Sequence, residues 1–422
     1  MIRHTFTPKR IAVLASAAAV LLGVVITAVL LSGPDDDRTI VEAPGNTSDP
    51  AAPGPVEPAQ ANIVATLTAE REAAWSTNSA EGASAPGAQL RAGQTLTLTQ
   101  GFAEITTARG AVAVIEAPTT IEFTNNDNAI ELRSGKLIGV CENKSSKGFL
   151  VRTPHMDVTD LGTRFGITVD TSNGSVVQVF EGSVAVTQPD RSSAPRLLQD
   201  DASFALDATG EQAAAPQDTA AFSNLAGYQS GILSKSDSVV IVPSRPSVLN
   251  STQYISNSQV HVFEELRGVE LPSDVALSIT EPGRYDRFLP ENFGTRTIEA
   301  GTVVRSFVIR AKSDGRMQEY LGELTFGGEI LGVMSLKTDW YAFVEQMPEQ
   351  AIDLDRNNPS DRVQDLLEGA DSPYLGGELA TDWLRIDPDR RTLTFRFFVA
   401  TATDHIRVFV AVPAEAARPS QP

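Results

Sequence analysis

The sequence predicts an all-β protein in which two β domains follow a single N-terminal membrane-spanning helix. Short segments that alternate apolar and polar residues recur from residue 63 to residue 413, which is the pattern of half-buried strands. Turn-forming Gly, Asn, Asp and Pro residues separate these segments, and no long amphipathic helical pattern interrupts residues 90–186. An uncharged apolar run stands apart at residues 11–31. Strands are therefore expected to form most of the chain beyond this run.

Charge and cysteine content exclude several classes of function. The 422 residues include 34 Lys and Arg against 53 Asp and Glu, which gives a formal net charge of −19. Such acidity argues against a nucleic-acid partner, because binding to phosphates depends on Lys and Arg. Cys141 is the single cysteine, so an intramolecular disulfide, a thiolate zinc site and a CxxC redox pair are excluded. Its place in a strand-like run predicts a small buried thiol.

Residues 11–31 are predicted to form a transmembrane helix. The run carries no charge, and about 20 apolar residues suffice to cross the hydrocarbon core of a bilayer. Basic residues precede it, and three aspartates at 35–37 follow it. The positive-inside rule then makes residues 1–10 a short cytoplasmic tail and places the bulk of the chain in the periplasm, anchored by a single pass in the inner membrane. The alternative is a cleaved signal peptide, but its apolar region is usually only about 7–15 residues long and ends at a small-residue cleavage site.

Three further segments have compositions typical of connections and tails. Residues 32–62 are rich in Pro, Ala and Asp and contain few large apolar side chains, so burial cannot offset the loss of chain entropy. This segment is predicted to be a semi-extended linker that holds the first β domain away from the membrane. Residues 215–238 are predicted to connect the two β domains, and residues 414–422 to form a disordered tail.

The first β domain is predicted to cover residues 63–214. Its second half holds the most specific motifs of the chain, which read Thr153-Pro154, Asp160-Leu161-Gly162-Thr163-Arg164-Phe165 and Glu181-Gly182-Ser183-Val184. In this order and spacing they resemble the FecR domain, with its Thr-Pro, its Asp-x-Gly-Thr-x-Phe segment and its Glu-Gly-x-Val repeat. The resemblance extends over residues 63–214. It implies an all-β domain, and it leaves a sandwich and a short β-solenoid as alternatives.

The FecR resemblance also implies a place in envelope signalling. Proteins of this type typically have a cytoplasmic helical domain that restrains a sigma factor, one membrane span and the β domain outside. In this chain the predicted cytoplasmic part is residues 1–10, which is too short to fold on its own. We therefore expect the extracytoplasmic FecR module without the cytoplasmic anti-sigma domain.

Elementary physical chemistry assigns roles to the motif residues. Pro154 cannot donate a ladder hydrogen bond, so it is expected at a strand start or edge. Gly162 and Gly182 are expected in turns with positive φ. Asp160 and Glu181 are expected to cap those turns by accepting backbone N–H bonds. Their alternative role, a carboxylate pair for acid–base chemistry, lacks an accompanying nucleophile or metal cluster. The core-forming residues are predicted to be Phe165, Ile167 and Val169.

Residues 239–413 are predicted to form an antiparallel β-sandwich domain. The loop from Asp353 to Asp361 places oxygen-bearing side chains at alternating positions, as calcium loops do. However, Asn358 stands where such a loop has Gly, and Gln364 stands where it has Glu. A solvated acidic turn is therefore the default interpretation of this loop.

Aromatic and histidine residues supply the remaining candidate sites. Trp340, Tyr341 and Trp383 could stack on sugar rings if exposed, although core or edge packing is the favoured interpretation. His261 and His405 each occur in an apolar alternation, which favours packed or surface histidines over metal ligands.

The sequence thus predicts a non-enzymatic binding or signal-relay module of the bacterial envelope. It is expected to have no catalytic, cofactor-binding or metal-binding residues. Its predicted partners are the lipid bilayer, through residues 11–31, and an envelope protein that could add a strand to an exposed sheet edge. The alternative is a carbohydrate- or cell-surface-binding module that uses the C-terminal β-sandwich.

Overall fold

The computed structural model of the chain describes residues 62–76, 85–170, 174–189, 194–215, 218–250, 252, 254–286, 296–335, 337–354, 382–399 and 403–412. These residues belong to one compact unit, and β-strands dominate it, which confirms the predicted all-β class. The predicted cytoplasmic tail, the predicted transmembrane helix at 11–31, nearly all of the predicted linker and the predicted tail at 414–422 lie outside the described residues. Within the described ranges, the helices are too short and too polar to cross a bilayer.

The strands of residues 63–213, here called the N-terminal β body, form one thirteen-stranded sheet. Its strands are β1 (Ile63–Trp75), β2 (Gln89–Arg91), β3 (Thr95–Thr107), β4 (Val112–Phe123), β5 (Ala129–Val140), β6 (Leu150–Arg152), β7 (Asp157–Asp160), β8 (Arg164–Asp170), β9 (Gly174–Glu181), β10 (Ser183–Thr187), β11 (Arg196–Gln199), β12 (Ser203–Leu206) and β13 (Gln212–Ala213). The main path runs β11-β10-β7-β6-β5-β4-β3-β1-β2.

The sheet divides at β5. Its N-terminal part pairs in parallel with β6 through residues 129–131, and its C-terminal part pairs antiparallel with β8 through residues 135–140. Gly135 lies where the partner changes, with a φ of 99°, and a side chain there would overlap Thr119. One arm therefore consists of β6, β7, β10 and β11, and the other of β8, β9, β12 and β13.

Both arms contribute to a single apolar core. Val158 and Val184 enter it from the first arm, and Phe204 enters it from the second. The residues predicted for this core are buried as expected: Phe165, Ile167 and Val169. The N-terminal β body is thus one branched sheet folded around its own core.

The strands of residues 232–411, here called the C-terminal β body, form two five-stranded sheets and two short pairs. They are β14 (Ile232–Lys235), β15 (Val239–Val242), β16 (Val248–Leu249), β17 (Val260–Glu270), β18 (Val275–Leu277), β19 (Gly283–Asp286), β20 (Arg296–Ile298), β21 (Val303–Lys312), β22 (Gln318–Phe326), β23 (Ile330–Met334), β24 (Asp353–Leu354), β25 (Trp383–Ile386), β26 (Thr392–Val399) and β27 (Thr403–Ala411). The sheet orders are β14-β22-β26-β25-β19 and β15-β17-β21-β27-β23.

These two sheets enclose a shared apolar core. Phe326 and Phe395 come from the first sheet, and Ile241 and Phe307 come from the second. Two pairs depart from the predicted antiparallel arrangement, because β15 runs parallel to β17 and β16 runs parallel to β24. The chain between the partners of each pair is long enough for a crossover connection rather than a hairpin, which is the condition for parallel pairing.

A third layer covers the outer face of the second sheet. It contains α2 (Lys337–Gln346), whose Trp340 and Phe343 are fully or almost fully buried. Phe343 meets Phe409 of β27 edge to face, with ring centroids 5.1 Å apart. Residues 215–238, predicted as a connection, contain a short 3₁₀ turn, the helix α1 (Ser223–Gln229) and strand β14.

Candidate functional site

The two glycine-containing turns of the FecR-like motifs are in direct contact. Gly162 and Gly182 both have positive φ, 105° and 88°, as predicted. A side chain on Gly182 would have its Cβ 2.5 Å from the carbonyl oxygen of Gly162. The N–H of Leu161 donates to the Ser183 carbonyl at 3.1 Å, and the N–H of Ser183 donates to Thr163 Oγ1 at 3.2 Å. The motifs are separated in sequence but form one structural unit.

Asp160 caps the first turn, as predicted from its position. Its Oδ2 accepts the backbone N–H of Gly162 at 2.9 Å, and its side chain is fully buried. Burial raises the pKa of this carboxyl, although hydrogen bonds from Thr163 and Gly162 oppose the shift. The buried Cys141 thiol lies against it as a weak donor, and burial together with this carboxylate raises the pKa of the thiol. Cys141 is therefore an inert buried thiol.

The prediction that Glu181 caps the second turn is wrong. Glu181 instead accepts two hydrogen bonds from Arg267 of β17, at 2.6 and 3.2 Å, and the Gly182 N–H donates to Asp200. Burial acts to raise the pKa of Glu181, but the hydrogen bond and charge of Arg267 outweigh it and lower that pKa. The physical reason is that a guanidinium fork matches a carboxylate in a way that one backbone N–H does not. The Glu181 carboxylate is thus engaged in an ion pair, and the Asp160 carboxylate is fully buried.

Glu264 of β17 extends this ion pair into a network at the junction of the two bodies. Its carboxylate lies 3.4 Å from Arg267 Nε, forms an ion pair with Arg305 and accepts the hydroxyl of Ser230 at 3.0 Å. Arg305 also donates to the backbone carbonyl of Gln229 at 3.2 Å. The network therefore ties β17 and β21 to the C-terminal end of α1.

An apolar contact lies beside this network. Phe222, which immediately precedes α1, and Leu225 of α1 form a buried cluster on the outer face of the N-terminal sheet. Its other members are Val114, Ile138 and Phe180. Phe180 and Phe222 meet edge to face, with ring centroids 5.4 Å apart.

Glycine makes this approach possible. A side chain on Gly166 of β8 would place its Cβ 2.6 Å from the Phe222 ring, closer than any real contact of this kind. Because Gly166 has no side chain, the ring of Phe222 can pack directly against the sheet.

Arg71 of β1 makes a third connection between the bodies. Its guanidinium lies 4.8 Å from the ring centroids of both Phe102 and Tyr228, which stack on each other, and it donates to the Ile232 carbonyl at 2.7 Å. Cation–π contacts of this kind contribute about 0.5–1 kcal/mol at exposed sites and more when desolvated.

Two cavities flank Glu181. The first, of about 490 Å³, is lined by Asp200, Asp201, Arg245 and Tyr254, among others. The second has a volume of about 380 Å³, and its charged lining is Glu142, Lys147, Arg164, Glu181 and Arg267. Both cavities lie where the second motif turn meets the C-terminal β body.

The remaining motif and histidine positions are structural. Pro154 lies in the turn between β6 and β7 and not at a strand start or edge, where it was predicted. His155 Nδ1 lies 3.2 Å from Ser175 Oγ. His261 and His405 are buried, and burial lowers the pKa of His261 to about 4 and that of His405 well below its ordinary value. These histidines are neutral packed side chains at neutral pH.

The aromatic candidates of the C-terminal β body do not form an exposed platform. Trp340 is fully buried, and Arg407 lies over its ring at 3.8 Å. Trp383 is half-buried beneath the guanidinium of Arg284, 4.5 Å from the ring centroid. Tyr341 is also half-buried. The preference for core packing over sugar stacking is confirmed for Trp340.

The loop from Asp353 to Asp361, interpreted by default as a solvated acidic turn, falls almost entirely outside the described residues. Only Asp353 and Leu354 are described, and they pair in parallel with β16. In the described ranges no group of three or more His, Cys, Asp or Glu side chains is arranged to hold a metal ion.

Similarity to known proteins agrees with the motifs. Residues 94–185 match the family model of the FecR protein. Two crystal structures of a candidate anti-sigma factor from Parabacteroides distasonis are similar to this chain, at 21% and 19% identity and a TM-score of 0.27 each. They cover 34% and 37% of this chain and 67% and 79% of their own. No curated protein matches the chain. The family match covers both contacting turns, so residues 94–185 of this chain form a FecR domain.

Proposed function

We propose that this chain is a non-enzymatic binding and signal-relay protein of the bacterial envelope. In this proposal residues 11–31 anchor it in the inner membrane, and both β bodies lie in the periplasm. The FecR family match supports the regulatory role. The apolar run and the charges that flank it support the anchor.

The observation that carries the proposal is the direct contact between the FecR motifs and the C-terminal β body. Glu181 of the second motif is held by Arg267, and α1 packs on the outer face of the FecR sheet. A partner that binds one body and prefers one arrangement of this junction would shift the state of the other body, since a ligand biases an equilibrium by its differential affinity. The junction thus offers a physical route for relay.

In this proposal the β bodies relay their state to a second membrane protein. Exposed sheet edges offer unpaired backbone groups for such a partner. The edge strand β11 carries Leu197, which is 56% exposed. This edge is a suitable place to look for contact.

The carbohydrate-binding alternative has no comparable support. It required exposed aromatic side chains, and Trp340 is fully buried while Trp383 lies under Arg284.

Crosslinking in intact cells tests the proposal. A photoreactive amino acid at Leu197, and a second one at Leu321 on the C-terminal β body, should capture a defined envelope protein on irradiation. A matched position that faces the core, such as Leu198, should capture nothing. Recovery of only the chain itself from all positions would contradict a relay role.

Protease treatment of spheroplasts tests the orientation separately. The proposal expects digestion of residues beyond 37 in spheroplasts and protection in intact cells. Protection in spheroplasts would reverse the orientation without bearing on the β fold.

A further inference from the structure

We propose that the cavity of about 380 Å³ beside Glu181 is a binding site for an oxyanion, either a phosphate or a carboxylate group, held by Arg164 and Lys147. The inference goes beyond envelope relay and does not depend on it. It assigns a ligand chemistry to the place where the two motif turns meet the C-terminal β body.

Arg164 is the residue that chiefly indicates a binding site for an anion. It is only 7% exposed and lines the cavity, and of its guanidinium nitrogens only Nη2 has a hydrogen-bond partner among the described residues, Gln229 Oε1 at 2.6 Å. Its Nε is buried without an acceptor in the same part of the chain. A buried guanidinium with unused donors is costly, and an anion that accepts from those donors would offset the cost.

Electrostatics support this interpretation. Burial lowers the pKa of Arg164 to about 10, and the positive charge of Arg267 acts in the same direction. The carboxylates of Glu264, Glu181 and Glu142 oppose the shift only in part. The charged side chains that line the cavity are three cations, Lys147, Arg164 and Arg267, against two carboxylates, Glu142 and Glu181. The lining therefore carries a small formal positive charge within a chain whose formal net charge is −19.

Lys147 supplies the second cation. It is exposed and lines the same cavity, and a side chain on Gly162 would have its Cβ 3.4 Å from Lys147 Nζ. Its ammonium therefore lies over the first motif turn, and it has no ion-pair partner among the described residues. A flexible ammonium at the rim and a fixed guanidinium within are the donors that recognise phosphate and carboxylate groups.

The other charged groups of the cavity fit the same role. Both terminal nitrogens of Arg267 are used by Glu181, so that pair forms a neutral wall. Glu142 is the opposing charge, and its carboxylate would compete with an incoming anion. Removing the Glu142 charge should therefore strengthen anion binding, whereas removing the charge of Lys147 or Arg164 should weaken it.

Calorimetric titration of the full-length chain in detergent tests the site, with sodium phosphate and sodium acetate as separate probes at fixed ionic strength. We expect saturable binding of at least one probe. Arg164→Gln and Lys147→Gln should each reduce the affinity by about tenfold or more, since a hydrogen bond to a charged group contributes about 1.5–3 kcal/mol. Glu142→Gln should raise it.

Lys144→Gln is the matched control, because Lys144 is an exposed lysine of the same loop that does not line the cavity. Binding of phosphate alone or of acetate alone would decide which oxyanion the site prefers. Absence of binding by both probes, or equal affinity in all four variants, would overturn the proposal. Lys147 is on the surface, so its variant gives a result even if Arg164→Gln fails to fold.

Discussion

The carboxylate of Glu181 accepts two hydrogen bonds from the guanidinium of Arg267, and this pair joins the second FecR motif to strand β17. The two residues are 86 positions apart in sequence. Their side chains are 31% and 24% exposed, so the pair lies between a surface and a buried ion pair.

A double-mutant cycle should find that Glu181 and Arg267 are coupled. We expect a coupling free energy of about 1–2 kcal/mol from Glu181→Gln, Arg267→Gln and the double variant, because the bonds are bidentate and charge-assisted. Urea denaturation measures it. The same cycle on the exposed pair Glu122 and Arg133 is the control and should give at most about 0.5 kcal/mol. Equal coupling in the two pairs would show that the junction pair is no more than a surface contact.

Acid should weaken the contribution of Glu181. Its pKa is lower in the folded protein than the ordinary value of 4.5, so ionisation favours the folded state. The stabilisation is complete above that ordinary value and is lost as the pH falls below it. The difference in free energy of unfolding between the wild type and Glu181→Gln should therefore shrink towards acid. A difference that grows towards acid would contradict the assigned pKa direction.

Phe222→Ala should strongly destabilise the protein, because it removes the packing between the α1 segment and the N-terminal sheet. Phe222 is 1% exposed and fills the space over Gly166, and Phe to Ala changes in cores cost about 3–5 kcal/mol. Thermal unfolding measures the loss. Leu233→Ala, at a side chain that is 49% exposed, is the control and should change little. A small effect of Phe222→Ala would mean that α1 is not held by this cluster.

Gly182→Ala should cost more stability than an ordinary substitution at a positive φ. Gly210 also has a positive φ, 77°, but open space surrounds its Cβ position. Gly210→Ala should cost about 1–2 kcal/mol from backbone conformation alone. In Gly182→Ala the new Cβ would also clash with the Gly162 carbonyl oxygen. The free energy of unfolding of this variant should therefore fall further than that of Gly210→Ala. Equal losses for the two variants, measured by urea denaturation, would argue against contact between the turns.

Trp340→Ala should act on stability rather than on sugar binding. Its side chain is fully buried against Arg407 and His405, and truncation of such a core residue costs about 3–5 kcal/mol. Chemical denaturation and a glycan array, applied to the same variant, separate the two effects. Loss of glycan binding with unchanged stability would revive the carbohydrate-binding alternative.

Sequence patterns predicted the parts of the site that depend on near neighbours. Asp160 caps the turn two residues later, and Gly162 and Gly182 occupy positive φ, because these features depend on local chain geometry. The role of Glu181 was predicted incorrectly for the opposite reason. Its partner Arg267 comes from a different β body, and no local pattern reveals a pairing across such a separation.

Two features of the C-terminal β body were not predicted from the sequence, for different reasons. The parallel pairing of β15 with β17 depends on how the intervening chain crosses, which strand patterns do not encode. Helix α2 was missed although Trp340, Phe343, Val344 and Met347 follow helical spacing. This spacing places the four apolar side chains on one face of a helix, so the sequence alone contains the signal for α2.

The contact between the Gly162 and Gly182 turns has a consequence for how FecR domains evolve. The first turn occupies the space that a side chain on Gly182 would need, whereas a side chain on Gly162 would meet Lys147. The two short motifs should therefore be inherited as one unit. Homologues that enlarge Gly182 should carry a compensating change in the first turn, and such paired exchanges should be visible in the covariation of the two turns.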